Sequence, residues 1–332
     1  MNQVLFQLQK KKTHICAIIN VTPDSFSDGN QWFQPEKAIQ HALNLSAQGA
    51  DLLDIGAEST RPSSRQISAE QEIERLSPVI KGIQNKIDIP LSIDTWKADI
   101  ASYCVNSGVQ MINDITGLFG DPNMADVIAH SQVGYVLMFN PIIARPDHKS
   151  SKNFSNFKLY KNKNSRFKPH EYELMHKMPI FDLMTYYFEK ALTIAVKAGI
   201  SEKQIFLDPG IGFALTKKEN LLLIKNLQVL KALGFPVFLG ASRKRFIVNI
   251  LKNANIPVDP QTDIGFYNRD AASAALTTYA ASKGIEIVRT HTVKEHLIAA
   301  RIGESIYHAE QAQDQELAKY TRHKEELRDR LL

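Results

Sequence analysis

Two cysteines, Cys16 and Cys104, are all that 332 residues contain. That is too few for a disulfide framework or a cysteine-rich zinc site. Both sit in apolar surroundings and read as reduced core residues. No apolar run reaches the ~18 residues that a membrane-spanning helix needs. The opening residues, MNQVLFQLQKKKTHI, lack the charged-then-apolar layout and small-residue cleavage site of a secretory signal. Gly-x-Gly-x-x-Gly, the phosphate fingerprint of dinucleotide-binding sheets, is missing too. These absences lead to the expectation of a cytoplasmic protein with no membrane partner.

One-signed charge is scarce outside a single segment. The chain carries +5, but residues 141–179 hold nine Lys/Arg against three Asp/Glu, which leaves the remainder close to neutral. A basic surface spanning a whole domain would suggest nucleic acid. One basic segment does not, and no nucleic-acid partner is expected.

What the chain does have is a repeated alternation. Short apolar runs of strand-like composition recur at 15–19, 51–55, 91–93, 110–112, 135–138, 205–207, 237–239 and 285–288. Helical patterns follow them at 35–48, 68–85, 98–106, 124–131, 181–198, 217–233, 269–283 and 293–302. Strands buried on both faces and separated by helices call for a parallel sheet. Eight such units predict a single α/β domain, a (β/α)8 TIM barrel, over residues 1–304. An open doubly wound sheet is the competitor, and it usually carries the missing glycine fingerprint. The basic segment 141–179 reads as a solvated insertion after the fifth strand. Two prolines interrupt 252–267. Residues 305–332 read as a charged helical tail.

In such a barrel the carboxyl ends of all strands converge on one face. Here they carry polar groups at seven of eight strands. Asp114 and Asp121 read as caps. Asp94, Asn113 and Asp208 are short side chains that would line the mouth. They suit a flat heterocycle with an amidine or guanidine edge, because one carboxylate accepts two parallel N–H bonds from it. Lys244 adds a donor. Arg289 and His291, two apart, point to one side. With Arg61 and Asn20 they form a donor-rich cationic corner suited to a diphosphate. An internal salt bridge is the competing reading for Arg289 and His291. Phe26 and Phe213 could sandwich a ring.

NVTPDSFSDG, DIGAESTRPSS, IDTWKADIA, INDITG, LDPGIGF, GASRKRF and VRTH resemble, in order and spacing, the signature segments of the dihydropteroate synthase family. The resemblance runs from about Ile15 to Ile302. It implies a dimeric TIM barrel that joins 4-aminobenzoate to (7,8-dihydropterin-6-yl)methyl diphosphate in folate biosynthesis, with Mg²⁺ as cofactor. Carried over motif by motif, Asp94, Asn113, Asp208 and Lys244 would hold the pterin. Asn20, Arg61, Arg289 and His291 would hold the diphosphate, Asn20 also serving the metal. Phe26, Thr60, Arg61, Phe213, Ser242 and Lys244 would surround the aminobenzoate. Asp94, Asp28, Lys244 and Arg61 would be the catalytic residues, and sulfonamides would compete with the aminobenzoate. Phe139 stands where members of the family often have histidine, and Ala57 and Ser63 where glycines are common. A folate-dependent methyltransferase would need the pterin ligands but neither the diphosphate corner nor the SRK segment. A non-catalytic paralogue would use the basic segment to bind a partner.

Overall fold

Eight parallel strands alternate with helices in the computed structural model, which describes residues 12–22, 34–60, 64, 66–152, 154 and 167–312. They are β1 (His14–Asn20), β2 (Leu52–Gly56), β3 (Leu91–Asp94), β4 (Met111–Asp114), β5 (Gly134–Met138), β6 (Ile205–Asp208), β7 (Phe238–Leu239) and β8 (Ile287–Thr290). The hydrogen-bonded order is β6-β5-β4-β3-β2-β1-β8-β7. A parallel bridge between Leu207 and Val237 joins the two ends. The predicted barrel is therefore present, and its sheet has no long unpaired edge.

Alternation along each strand divides the apolar residues into two populations. Outward residues such as Ile15, Leu53, Ile93, Ile112, Leu137 and Leu207 pack beneath the helices in one large cluster. Inward residues form a second, separate cluster of Cys16, Leu52, Met111, Val136, Phe206, Phe238 and Ile287. This plug fills the lower half of the barrel. Higher on β2, β3, β4, β6 and β8 the inward position is polar: Asp54, Asp94, Asn113, Asp208 and Arg289. The plug thus makes the floor on which a polar layer stands. Both cysteines are buried and free, as the sequence implied.

Helix boundaries follow local chemistry. Pro35 occupies the first turn of Pro35–Ala47. Ser68 and Gln71 form a capping box on Ala69–Ile83, and Thr216 and Glu219 form one on Lys217–Lys225. Gly199, at φ 90°, ends Ile180–Ala198 in the left-handed cap that glycine tolerates best. Asp121 is a cap, but of the preceding unit: its Oδ2 accepts from the Ala98 N–H at 2.9 Å, opening Ala98–Asn106.

Several expected boundaries move. The helix expected at 217–233 is two, Lys217–Lys225 and Leu227–Lys231, parted at Asn226, whose side chain donates back to the Leu222 carbonyl. The interruption expected over 252–267 is short, because helices Arg245–Asn253 and Asp263–Ala281 enter it from both sides. Thr262 opens the second by accepting from the Gly265 N–H. The last helix, Lys294–Tyr307, runs past the expected boundary at 304. Residues 313–332 of the expected tail lie outside the described residues.

The insertion differs most from its expectation. Its described parts are folded: a turn of helix at Pro141–Ala144, a 3-10 turn at Lys149–Ser151 and a helix at Pro169–Lys177. Phe167 stacks on Phe119 with ring centroids 4.4 Å apart, and Arg145, Ser151 and Phe154 are buried. A solvated loop is therefore the wrong description of these residues. Phe139 is fully buried against Tyr187 and Phe188, so it serves packing.

The sharpest backbone constraint is at Gly210, after β6. Its φ is 69°, and a Cβ there would lie 2.0 Å from the Phe139 carbonyl oxygen. Gly210→Ala should combine left-handed strain with a backbone clash and cost about 2 kcal/mol or more. Denaturant unfolding monitored by circular dichroism would show the lowered midpoint.

Candidate active site

A buried carboxylate needs partners, and Asp54 collects them. The side chain is fully buried at the inward face of β2. Ser92 Oγ donates to its Oδ1 at 2.6 Å and Asn113 Nδ2 to its Oδ2 at 3.0 Å. Arg289 Nε donates to the same Oδ2. Arg289 Nη2 then reaches Asp94 Oδ2 at 2.9 Å. One guanidinium thus lies between two carboxylates. Burial works against its charge, but Asp54 and Asp94 more than offset that and its pKa is raised. Burial pushes Asp94 up, Arg289 pulls it down, and the upward push prevails. The internal salt bridge weighed for Arg289 is therefore real, and it belongs to the same polar layer as the expected ligands. Asp54, to which no motif gives a role, gathers this network.

Asp208 sits across the layer on β6. Burial raises its carboxyl to about 6, although the Gly210 N–H and the charges of Lys244 and Arg289 favour the ionised form. The Gly210 N–H donates to its Oδ1 at 2.7 Å, which orients the carboxylate. Lys244 Nζ lies 4.5 Å from the centre of the Phe213 ring, a cation–π distance. A Cβ at Gly212 would lie 2.6 Å from Lys244 Cδ, so the lysine stem needs the glycine beneath it. Ser242 and His291 pair at 2.9 Å between Oγ and Nδ1, and the His291 N–H donates to the same Oγ. With the hydroxyl donating to Nδ1, the ring proton sits on Nε2, from which it would donate to an oxyanion.

These groups surround a cavity of about 830 Å³. Asn20, Thr60, Asp94, Phe213, Ser242 and Lys244 line it, as do Arg289 and His291. Asn113 and Asp208 belong to the buried layer, each nearly inaccessible, and are absent from its wall. Phe26, Asp28 and Arg61 lie outside the described residues. The walls are braced from behind. Glu58 accepts from Trp96 Nε1 at 3.0 Å, Lys97 Nζ at 3.1 Å and the Ile67 N–H at 2.8 Å, which ties down the loop that carries Thr60. Arg243, in a left-handed conformation at φ 55°, grips Asp270 through Nε and Nη2 at 2.6 and 2.8 Å. Asp114 organises its own turn, accepting from the Thr116 and Leu118 N–H groups. The insertion also reaches the cavity, through Lys149, Ser150 and Phe154.

The Asp54 network makes a direct prediction. Asp54→Ala strands the Arg289 Nε and the Asn113 amide in a dry interior and should destabilise the protein by about 3 kcal/mol or more. The unfolding midpoint in urea reads this loss.

The family model described as "Pterin binding enzyme" matches residues 16–291. The dihydropteroate synthase of Bacillus subtilis is 39% identical over 86% of this chain and 86% of its own length. That of Clostridium beijerinckii is 34% identical over 89% and 95%. Among solved structures, the dihydropteroate synthase of Clostridium difficile in the presence of pteroic acid superposes with a TM-score of 0.72 at 35% identity, covering 90% of this chain and 98% of that one. The Xanthomonas albilineans enzyme with 4-aminobenzoic acid gives 0.71 at 31% identity, covering 91% and 94%. With the described parts of these motif segments at one barrel face and a family match across most of the chain, this protein belongs to the pterin-binding enzymes, among the dihydropteroate synthases.

Proposed function

We propose that this chain is a transferase that condenses (7,8-dihydropterin-6-yl)methyl diphosphate with 4-aminobenzoate, giving 7,8-dihydropteroate and diphosphate. The observation that carries this reading is the polar layer on the barrel's apolar plug: acceptors at Asp94, Asn113 and Asp208 beside the donors Lys244, Arg289 and His291. Ionised Asp208 would accept the 2-amino/N3–H edge of the pterin, with Asp94 and Asn113 on its other edge and Lys244 donating to its carbonyl. Arg289 spends two nitrogens on Asp54 and Asp94, so its contribution to the diphosphate is its remaining edge and its charge. Asn20 and His291 complete that corner.

The second substrate would stack on Phe213 near Thr60 and Ser242. Helix Arg245–Asn253 begins beside it with no side-chain cap, and its free N–H groups suit a carboxylate. Sulfonamides share the ring and the anionic end. A Yersinia pestis dihydropteroate synthase, 28% identical with a TM-score of 0.73 and covering 91% of this chain and 96% of that one, was solved with a sulfonamide drug. Competition with 4-aminobenzoate is expected here.

The residues present fit Mg²⁺ in one way. Among the described residues no three His, Cys, Asp or Glu side chains cluster to hold a metal. Asn20 offers a single hard oxygen, which suits an ion coordinated mainly by diphosphate and water. When bound there, Mg²⁺ supplies neutralisation of the leaving diphosphate. The protein's own groups do the rest. His291 and Arg289 stabilise charge on the departing diphosphate. Asp94 stabilises the cation left on the electron-rich pterin, together with Asp28. The aniline nitrogen then attacks the methylene, and no protein nucleophile is needed. Loops one and two, with Phe26 and Arg61, exclude water that would trap the cation.

We also propose a cytoplasmic homodimer. Ile298, Ile302 and Ile306 recur every fourth residue on the outer face of Lys294–Tyr307 and are 67%, 55% and 57% exposed. Tyr267, on the helix packed against it, is 62% exposed. An exposed apolar stripe such as Ile298, Ile302 and Ile306 suits an isologous contact. No helix among the described residues is long and apolar enough to cross a membrane.

Four outcomes test these readings. Purified protein with Mg²⁺ and both substrates should form dihydropteroate, and folded protein that forms none refutes the activity. Asp208→Ala should abolish measurable pterin binding by calorimetry. In the wild type, pterin affinity should fall as pH drops below about 6, approaching tenfold per unit, because Asp208 then loses its acceptor charge. Ile298→Glu with Ile302→Glu should give a monomer by light scattering.

A further inference from the structure

We propose that the described part of the insertion forms a wall of the aminobenzoate end of the cavity, and that Arg145 is the positioning residue that holds this wall against loop six. The proposal rests on the synthase reading above. Arg145 is 5% exposed, and its guanidinium makes a two-pronged contact with Glu219, Nη1 to Oε1 at 2.7 Å and Nη2 to Oε2 at 2.9 Å. Such a fork fixes angle as well as distance.

Each end of this pair is tied to a piece of the cavity wall. On the insertion side, the Arg145 carbonyl accepts from the His148 N–H and from Ser151 Oγ, both at 3.0 Å. The Phe154 N–H donates to the Ser151 carbonyl at 3.0 Å. These bonds close 145–154 into a compact turn that presents Lys149, Ser150 and Phe154 to the cavity. On the other side, Glu219 Oε2 also accepts from the Thr216 N–H at 2.7 Å. Asn220 Oδ1 accepts from the Gly212 N–H at 2.7 Å, and Asn220 Nδ2 donates to the Thr216 carbonyl at 2.8 Å. Loop six, which carries Phe213, is therefore held at both ends by two neighbouring residues of one helix. Arg145 joins that helix to the insertion.

Its neighbours on loop six, Phe213 and Lys217, tie this wall to one substrate. β5 stands four strands from β1, on the far side of the ring from the β1–β8 pair that carries Asn20, Arg289 and His291. The diphosphate corner and the insertion thus face each other across the mouth. Phe213 lies on the insertion's side. Lys149 and Lys217 line the same stretch and place positive charge where a ring with a carboxylate would enter. Arg145 itself touches no substrate; it sets the separation of the two loops that do.

Steady-state kinetics with both substrates varied separates this role from simple structural support. Arg145→Met should raise KM for 4-aminobenzoate about tenfold and leave KM for the pterin diphosphate within about twofold. Arg145→Glu should do the same, and adding Glu219→Arg should restore most of the affinity. Lys149→Ala changes an exposed side chain that the fold does not need, and should raise only the 4-aminobenzoate KM, by about threefold. It keeps the test open if the Arg145 variants do not fold. An unchanged 4-aminobenzoate KM in Lys149→Ala overturns the proposal, as does an equal rise of both KM values in folded Arg145→Met. No turnover by the wild type would instead overturn the synthase reading, and this proposal with it.

Discussion

A single guanidinium inside the barrel sets the terms for the site. Arg289 pairs with Asp54 through Nε and with Asp94 through Nη2. Without it, two carboxylates would face each other above an apolar plug with no guanidinium between them. With it, Asp54 also accepts from Ser92 and Asn113, and the polar groups of β2, β3, β4 and β8 become one network. Groups locked in this way need little reorganisation when a ligand arrives. The rigidity of the pterin end is thus a consequence of burying charge, and burying charge is possible because the network is complete.

The loops obey a different rule. They stand above the plug, cannot use its packing, and are held by ion pairs placed behind the cavity wall. Glu58 with Lys97 and Trp96 braces loop two, and Arg243 with Asp270 braces loop seven. Arg145 with Glu219 braces loops five and six. All three pair a residue near a strand end with one on an adjoining helix or loop. Each brace is buried enough to be structural, yet lies a few residues from a group that lines the cavity. The floor is therefore positioned by the strands and the walls by these braces.

This division explains how much could be read from the chain. Short apolar runs alternating with helical patterns sufficed for the eight units and the barrel. The lower inward residues are apolar and were legible as strand. Most of the upper ones are polar, so an apolar-run criterion ended six of the eight strands one or two residues early. β8 shows it best: the run 285–288 stops short of Arg289, while pairing of His14 with Ile287 and Ala17 with Thr290 sets the strand at Ile287–Thr290. Asn20, Asp94, Asn113, Asp208, Lys244 and His291 could be chosen because a polar residue next to an apolar run stands out. Asp54 was harder, since its partners are 38, 59 and 235 residues away. Arg145 and Glu219, 74 residues apart, gave no periodic signal at all. The composition of 141–179 pointed to solvent because its charges outnumber its aromatics, yet Phe154 and Phe167 are the residues that fasten its described ends.

Asp208 links the two levels. Its folded carboxyl titrates near 6, above its unfolded value of 3.8, so the folded state holds this proton more tightly. By linkage, that contribution favours the fold at low pH and is lost as pH rises from about 4 through 6. At neutral pH the protein therefore maintains an ionised acid in a site that disfavours it, steadied by the Gly210 N–H and by the charges of Lys244 and Arg289. A heterocycle offering two N–H donors supplies what the protein withholds. Under the proposed role of Asp208, that unfavourable burial would become selectivity: a ligand without such an edge would leave the carboxylate undersatisfied, whereas one with it would complete the layer that Arg289 began.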